Sequence, residues 1–260
     1  MESLKSTDGT QISFARSGDG PPLVLVHGTT SDHTRWVHVL PGLEKKFSVI
    51  AMERRGRGES GDAAAYSLEQ EYEDVATVAM AMGPGTSLLG HSYGALCAME
   101  AALRLDNIRK LVLYEPPFPI GDAPVYPPGL DIRLRAMLAD DEREKLLITF
   151  LSEVAGISAA QLAAMRADPS WEGRVRAAHT ALREMVAGEY RFDPARFRRL
   201  AVPTLLLLGE ASPIGFTAPT RALDAALPDS RIVILEGQGH AAMSSAPDLF
   251  VREVISFLSA

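Results

Sequence analysis

The stretch from Thr86 to Ala95, Thr-Ser-Leu-Leu-Gly-His-Ser-Tyr-Gly-Ala, limits the folds open to this chain more than any other. An apolar run that suits a buried strand ends in Gly90-His91-Ser92-Tyr93-Gly94, and an alanine- and leucine-rich helical stretch to Leu105 follows at once. Turning from strand to helix in so few residues puts Ser92 in a strained backbone conformation. It also calls for glycine at 90 and 94, where a Cβ would strike the packed strand and helix. The Ser92 hydroxyl then stands beside a helix N-terminus, whose free N–H groups favour developing negative charge. A glycine-rich turn with a purely structural role is the plain alternative.

The rest of the chain repeats the same change of period. Ser3–Lys5 and Gln11–Ala15 flank Asp8-Gly9 as a hairpin. Leu23-Val24-Leu25-Val26 is a continuous apolar run, as expected of a strand buried on both faces. Asp32 can cap a helix with Trp36, Leu40 and Leu43 on one face, and Phe47–Ala51 is the next strand. Ser67-x-x-Gln70 is a capping box, and Leu68, Tyr72, Val75, Ala79 and Met82 follow it at helical spacing. Ile108–Tyr114, Pro203–Gly209 and Arg231–Ile234 read as further strands, with a helix near Pro219–Ala226. A last helix starts at Pro247 and turns Phe250, Val254 and Leu258 inward. Strands alternating with helices predict an α/β fold, a doubly wound and mostly parallel sheet with helices on both faces.

From Pro116 to about Leu200 the alternation stops. Six prolines between 116 and 128 predict a stiff loop, and helices are expected near Asp131–Ala139, Glu142–Val154, Ser158–Ala167 and Trp171–Ala187. The expected organisation is core in residues 1–117, a helical cap in 118–200 inserted after the sixth core strand, and core again in 201–260. Such a cap would shape a pocket and exclude water; helices that merely extend the core are the alternative.

A length of 260 residues suits one core domain with an insertion. A net charge of −7 argues against nucleic acid or an anionic membrane as the default partner and leaves a small molecule. The single cysteine, Cys97, has no internal disulfide partner and is expected to be a buried helix residue. The first twenty residues lack an apolar signal core, and no run approaches the ~18–20 apolar residues of a membrane span. A cytoplasmic protein is expected, as monomer or homodimer.

Beside the elbow stand Val26-His27-Gly28-Thr29, the loop Arg54-Arg55-Gly56-Arg57-Gly58-Glu59-Ser60, and Gly237-Gln238-Gly239-His240. With these four motifs in this order the chain resembles the α/β-hydrolases over nearly its whole length, in particular serine esterase and lactonase-like members. The resemblance implies a triad in the chain order nucleophile, acid, histidine. Ser92 is then the nucleophile and His240 its base, an imidazole able to take the serine proton and pass it to the leaving group. The amides of Tyr93 and, by resemblance, Thr29 would form the oxyanion hole. His27 and His91 flank the reacting point as structural or pocket-lining residues. His33 and His38, with Asp32, are poorly spaced for a metal; no metal and no cofactor are expected. Arg54, Arg55 and Arg57 are expected to be structural rather than an anion-binding patch, since the family has a similar turn without phosphate chemistry.

The acid departs from the common pattern. Related hydrolases usually carry Asp three residues after the glycine that ends the seventh strand, and here that position is Ser212, in Gly209-Glu210-Ala211-Ser212-Pro213. Glu115, at the tip of the sixth strand before Pro116-Pro117, is taken as the acid. Glu210 is the alternative, and a dyad without a carboxylate is the third choice. The expected activity is hydrolysis of an ester, lactone or thioester of a small, partly apolar molecule through an acyl-enzyme. Serine at the elbow argues against dehalogenase or epoxide-hydrolase chemistry. C–C bond hydrolysis, lyase or cofactor-free peroxidase chemistry on the same fold, and a non-catalytic ligand-binding protein, remain open.

Overall fold

The computed structural model describes residues 1–121 and 124–260, so the part of the proline-rich loop at 122–123 lies outside the described residues. Eight strands form one sheet: β1 (Glu2–Lys5), β2 (Gln11–Ser17), β3 (Pro22–Val26), β4 (Ser48–Met52), β5 (Ser87–His91), β6 (Leu111–Tyr114), β7 (Thr204–Gly209) and β8 (Ser230–Leu235). Their order is β1-β2-β4-β3-β5-β6-β7-β8. The two hairpin strands are antiparallel and the other six run parallel, as the alternation of strand and helix predicts.

The helices are α1 (Leu40–Leu43), α2 (Leu68–Ala81), α3 (Tyr93–Ala102), α4 (Leu130–Ala139), α5 (Arg143–Glu153), α6 (Ala159–Arg166), α7 (Trp171–Arg176), α8 (Thr180–Glu184), α9 (Pro194–Phe197), α10 (Ile214–Ala226), α11 (Ala242–Ser245) and α12 (Pro247–Ser259). Successive side chains of a strand go to opposite faces. Val24, Val26, Leu88, Leu111, Leu113 and Leu206 therefore pack with α2, α3 and α10. Leu23, Leu25, Leu89, Val112, Leu205 and Leu207 pack with α1 and α12 on the other face. This two-sided burial explains why the parallel strands read as unbroken apolar runs. Cys97 is buried in the first of these layers, and its burial pushes the thiol pKa up, away from thiolate chemistry.

The expected capping box of Ser67 with Gln70 is present, and a second joins Ser158 with Gln161. The helix expected after Asp32 is instead a 3₁₀ turn, His33–Trp36, followed by the separate α1. Pro41 accounts for the break, because it has no N–H to continue the hydrogen-bond ladder from the preceding turn and fits only the first turn of a new helix. The single helix expected over Trp171–Ala187 is α7 and α8 joined by one 3₁₀ turn, with a second 3₁₀ turn after α8.

Between β6 and β7 lie α4 to α9 and, among the described residues, no strand. Leu130, Leu134, Leu146, Leu147, Phe150 and Trp171 form an apolar cluster of their own there. Phe118, Ala187, Tyr190 and Phe197, near the ends of this insertion, pack with the α2 and α3 layer instead. No described helix is long and apolar enough to cross a membrane.

Candidate active site

Strand register builds the site. Gly90 pairs with Val26, and His91 pairs with Tyr114, so Ser92 stands level with Gly28, two residues beyond the ladder on one side, and with Glu115, one residue beyond it on the other. Ser92 has φ 56° and ψ −127° and caps α3, whose first amides, Tyr93 among them, have no acceptor within the helix. Its own N–H donates to the Tyr114 carbonyl at 2.8 Å, tying the elbow to β6. The two motif glycines answer to close approach: a Cβ at 90 would lie 2.5 Å from the Gly94 carbonyl oxygen, and one at 94 would lie 2.2 Å from that of Val26. A Cβ at Gly28 would lie 2.9 Å from the Ser92 Cβ, so the loop after β3 comes within contact of the elbow.

Glu115 shares the left-handed region, φ 55°, and is wholly buried. Its Oε1 accepts the Gly209 N–H at 2.7 Å and its Oε2 faces Nδ1 of His240 at 2.5 Å. A carboxylate only accepts, so this contact fixes the proton of His240 on Nδ1 and leaves Nε2 free as a base. Glu210 is not at the histidine: it is exposed, and its Oε2 accepts the Gly237 N–H at 2.8 Å. Of the two glutamates offered by the sequence, it is Glu115 that the fold brings to His240. Glu210 immediately follows β7 and bonds into the turn after β8, while the space beside His240 is filled from β6. Ser212, at the usual position of the acid, keeps a buried Oγ without a partner among the described residues.

Ser92, His240, Gly28 and Thr29 line one cavity, closed on the far side by Phe150, Leu151, Ala155, Ile157 and Met165 of α5, α6 and the segment joining them. The Tyr93 side chain turns away from this cavity. Its ring lies under the Arg54 guanidinium, 4.5 Å from the centroid, and its hydroxyl bonds Tyr66 at 2.6 Å.

Two histidines beside the cavity hold its walls. Burial, reinforced by Arg54 and Arg57, keeps His27 far below its ordinary pKa, hence neutral. Its Nε2 accepts the Arg54 N–H at 3.2 Å, so Nδ1 donates to the Gly28 carbonyl at 2.9 Å and pins the turn that carries Thr29. His91 is likewise kept neutral, first by burial and then by His240, and its Nε2 donates to the His240 carbonyl at 2.9 Å. His33 and His38 go to separate carboxylates, Glu53 and Asp168, and no metal-binding cluster occurs among the described residues.

The arginine loop is internal structure. Arg54 bonds Glu71 and Glu184, Arg55 bonds Asp74 and Asp8, and Arg57 reaches Glu184, so α8 is fastened to the core by buried charge. Sequence reasoning missed Phe216, whose ring stacks on the His240 imidazole at 3.9 Å and 13°, because nothing in α10 marks one apolar residue from another. It also missed Tyr114, whose hydroxyl donates to the Gly239 carbonyl and accepts the Ala242 N–H at 3.2 Å, bracing the histidine loop. A tyrosine next to the strand-tip glutamate was the available signal.

A parallel sheet with a serine on a strand–helix elbow and a carboxylate-bonded histidine beside it defines a hydrolase of the α/β class. The chain belongs to the alpha/beta hydrolase family, whose profile matches residues 23–253. It is similar to an alpha/beta hydrolase of Sphaerobacter thermophilus, with 36% identity, a TM-score of 0.85 and coverage of 98% of this chain and 99% of that one. It is also similar to the pimeloyl-[acyl-carrier protein] methyl ester esterase of Aeromonas hydrophila, 28% identical over 95% of this chain and 99% of the relative. A third relative is the 2-(acetamidomethylene)succinate hydrolase of Mesorhizobium japonicum, 24% identical over 96% of this chain and 92% of the relative.

Proposed function

We propose that this α/β hydrolase cleaves an ester, lactone or thioester bond of a small, partly apolar molecule through an acyl-enzyme on Ser92. The observation that carries this is that Ser92, strained at the head of α3, lines one cavity with a His240 whose Nδ1 is held by Glu115. In this mechanism His240 Nε2 takes the Ser92 proton as Oγ attacks the carbonyl carbon, and Glu115 stabilises the imidazolium. The Tyr93 and Thr29 amides bind the oxyanion, each donor of this kind contributing about 3–4 kcal/mol in the transition state. The imidazolium protonates the departing alkoxide, lactone oxygen or thiolate. His240 then removes a proton from water, which attacks the acyl carbonyl, and Ser92 leaves with the acid released.

The helices of residues 118–200 act as a cap in this mechanism, with Ile157 and Met165 facing the substrate. Trp171 is not a wall residue: it belongs to the apolar cluster of the insertion, and its Nε1 donates to Glu144 at 3.0 Å. The activity of the esterase relative supports an ester as the first substrate to try. Wild-type protein should hydrolyse short nitrophenyl esters and label at Ser92 with a fluorophosphonate, while Ser92→Ala should fold and lose at least about 10³-fold in kcat. Comparable kcat in Ser92→Ala would end the serine mechanism.

A further inference from the structure

Two cationic side chains in the cavity wall have no counter-charge in contact. Arg35, in the 3₁₀ turn after the Thr29 loop, and Arg174, in α7, both line the cavity that holds Ser92 and His240. They also line the cleft that adjoins it between residues 34–38 and α6–α7. Both are buried, 9% and 6% exposed, and among the described residues neither makes an ion pair. Arg35 donates from Nη1 to Ser244 Oγ and from Nη2 to Met243 Sδ, both at 2.8 Å, which orients it from the segment after His240. Arg174 makes no side-chain hydrogen bond among the described residues, and its Nε is buried without a partner.

Arg54 and Arg55 show what this protein does elsewhere with buried arginines, giving each a carboxylate in direct contact. Asp32 and Asp168 are near enough to favour the charge of Arg174, and Asp168 that of Arg35, yet neither carboxylate makes an ion pair with either arginine among the described residues. Asp32 Oδ1 accepts from Thr34, and Asp168 bonds Ser170 and His38. Burial pushes Arg174 down to about 9 and Arg35 to about 10, so both stay cationic at neutral pH. Leaving two buried guanidinium groups short of hydrogen bonds is costly to a fold, and an anion held between them removes that cost.

We propose that Arg35 and Arg174 form the subsite for a free carboxylate carried by the substrate, across the cavity from the bond that Ser92 attacks. A planar guanidinium matches a carboxylate in geometry, and two of them favour an acidic substrate over its neutral isostere. The apolar wall of Phe150, Leu151, Ile157 and Met165 takes the carbon chain between the two functional groups. This substrate class rests on Ser92 being the nucleophile.

Binding and turnover separate the two ideas. Intact Ser92→Ala protein is titrated calorimetrically with glutarate and with inorganic phosphate, alone and combined with Arg174→Met or Arg35→Met. Glutarate should bind, and each arginine change should weaken it by about tenfold or more, while phosphate binds more weakly than glutarate. In otherwise wild-type protein, the kcat/KM ratio of mono-nitrophenyl glutarate to nitrophenyl pentanoate should exceed about ten and collapse in Arg174→Met, mainly through KM. Without ligand, Arg174→Met should melt no lower than wild type, because it removes an unpaired buried charge and keeps the volume. Equal glutarate affinity in the variants, tighter arginine-dependent binding of phosphate, or a wild-type ratio near one overturns the carboxylate subsite. So does a markedly lower melting temperature in Arg174→Met, which marks a structural role. If neither ester is cleaved while glutarate binding still depends on Arg174, the serine mechanism fails and the subsite stands.

Discussion

Glu115→Gln puts the least conventional feature of the site to a quantitative test. The carboxylate accepts two N–H groups at once, from Gly209 at 2.7 Å and from His240 Nδ1 at 2.5 Å. Glutamine has one acceptor for these two donors. If its oxygen keeps Gly209, its NH₂ faces His240, forces Nδ1 to accept and moves the imidazole proton to Nε2, where the base is needed. If its oxygen turns to His240, its NH₂ meets the Gly209 N–H in a buried donor–donor contact costing about 1–3 kcal/mol. That cost alone leaves the working orientation about 5- to 150-fold less populated, at 1.4 kcal/mol per decade. The lost charge opposite the imidazolium lowers the rate further, and the analogous change in a serine protease costs ~10⁴ in kcat. The expected loss is therefore about 10³- to 10⁴-fold in kcat for nitrophenyl ester hydrolysis, with a matching fall in the rate of phosphonate labelling. Glu210→Gln, measured beside it, should stay within about twofold of wild type, since exposed changes away from a mechanism have small effects. A near-normal Glu115→Gln together with a crippled Glu210→Gln would refute the assignment, and near-normal rates in both would leave only a dyad.

Phe216→Ala removes the ring stacked on His240 and should cost about 3 kcal/mol in urea unfolding, with about a tenfold fall in kcat as the imidazole loses its fixed orientation; an unchanged kcat would show that Glu115 alone positions the ring. Glu184→Gln leaves Arg54 and Arg57 buried with less counter-charge, so unfolding free energy should drop by about 3–5 kcal/mol, and a drop below 1 kcal/mol would mean that Glu71 suffices. His33 is raised above 6.5, first by its hydrogen bond to Glu53, which outweighs its partial burial. A raised folded-state pKa stabilises below the unfolded value and loses that contribution as pH rises through the folded value. The melting-temperature advantage of wild type over His33→Gln should accordingly be larger at pH 5.5 than at pH 9, and the opposite trend would break the ion-pair assignment.

The elbow was legible because local rules and tertiary rules coincide there. Gly90 and Gly94 are demanded by close packing, Ser92 takes the strained turn between them, and the apolar run before them is demanded by burial on both faces. The strand tip carrying Glu115 was legible for a related reason, since a charged residue at the end of an apolar strand needs a partner. The 3₁₀ break after Trp36 was signalled by Pro41, yet the spacing of Trp36, Leu40 and Leu43 reads as one helix, and all three do pack on the same face. The segmentation of residues 171–189 had no comparable signal, because Ala and Arg at these positions favour an unbroken helix.

The sequence by itself determined the alternation that makes a parallel sheet, the motif that places a serine at its centre, and the histidine that follows the last strand. These depend on periodicity and on glycine and proline, whose effects are local. Only the tertiary structure decided which glutamate meets His240, which ring lies against it, and which arginines reach the cavity unpaired. Glu115 and His240 are 125 residues apart and Arg35 and Arg174 come from different layers, so their meeting is set by strand register and by the packing of α7. Distances of that kind are products of the whole fold, and no local pattern encodes them.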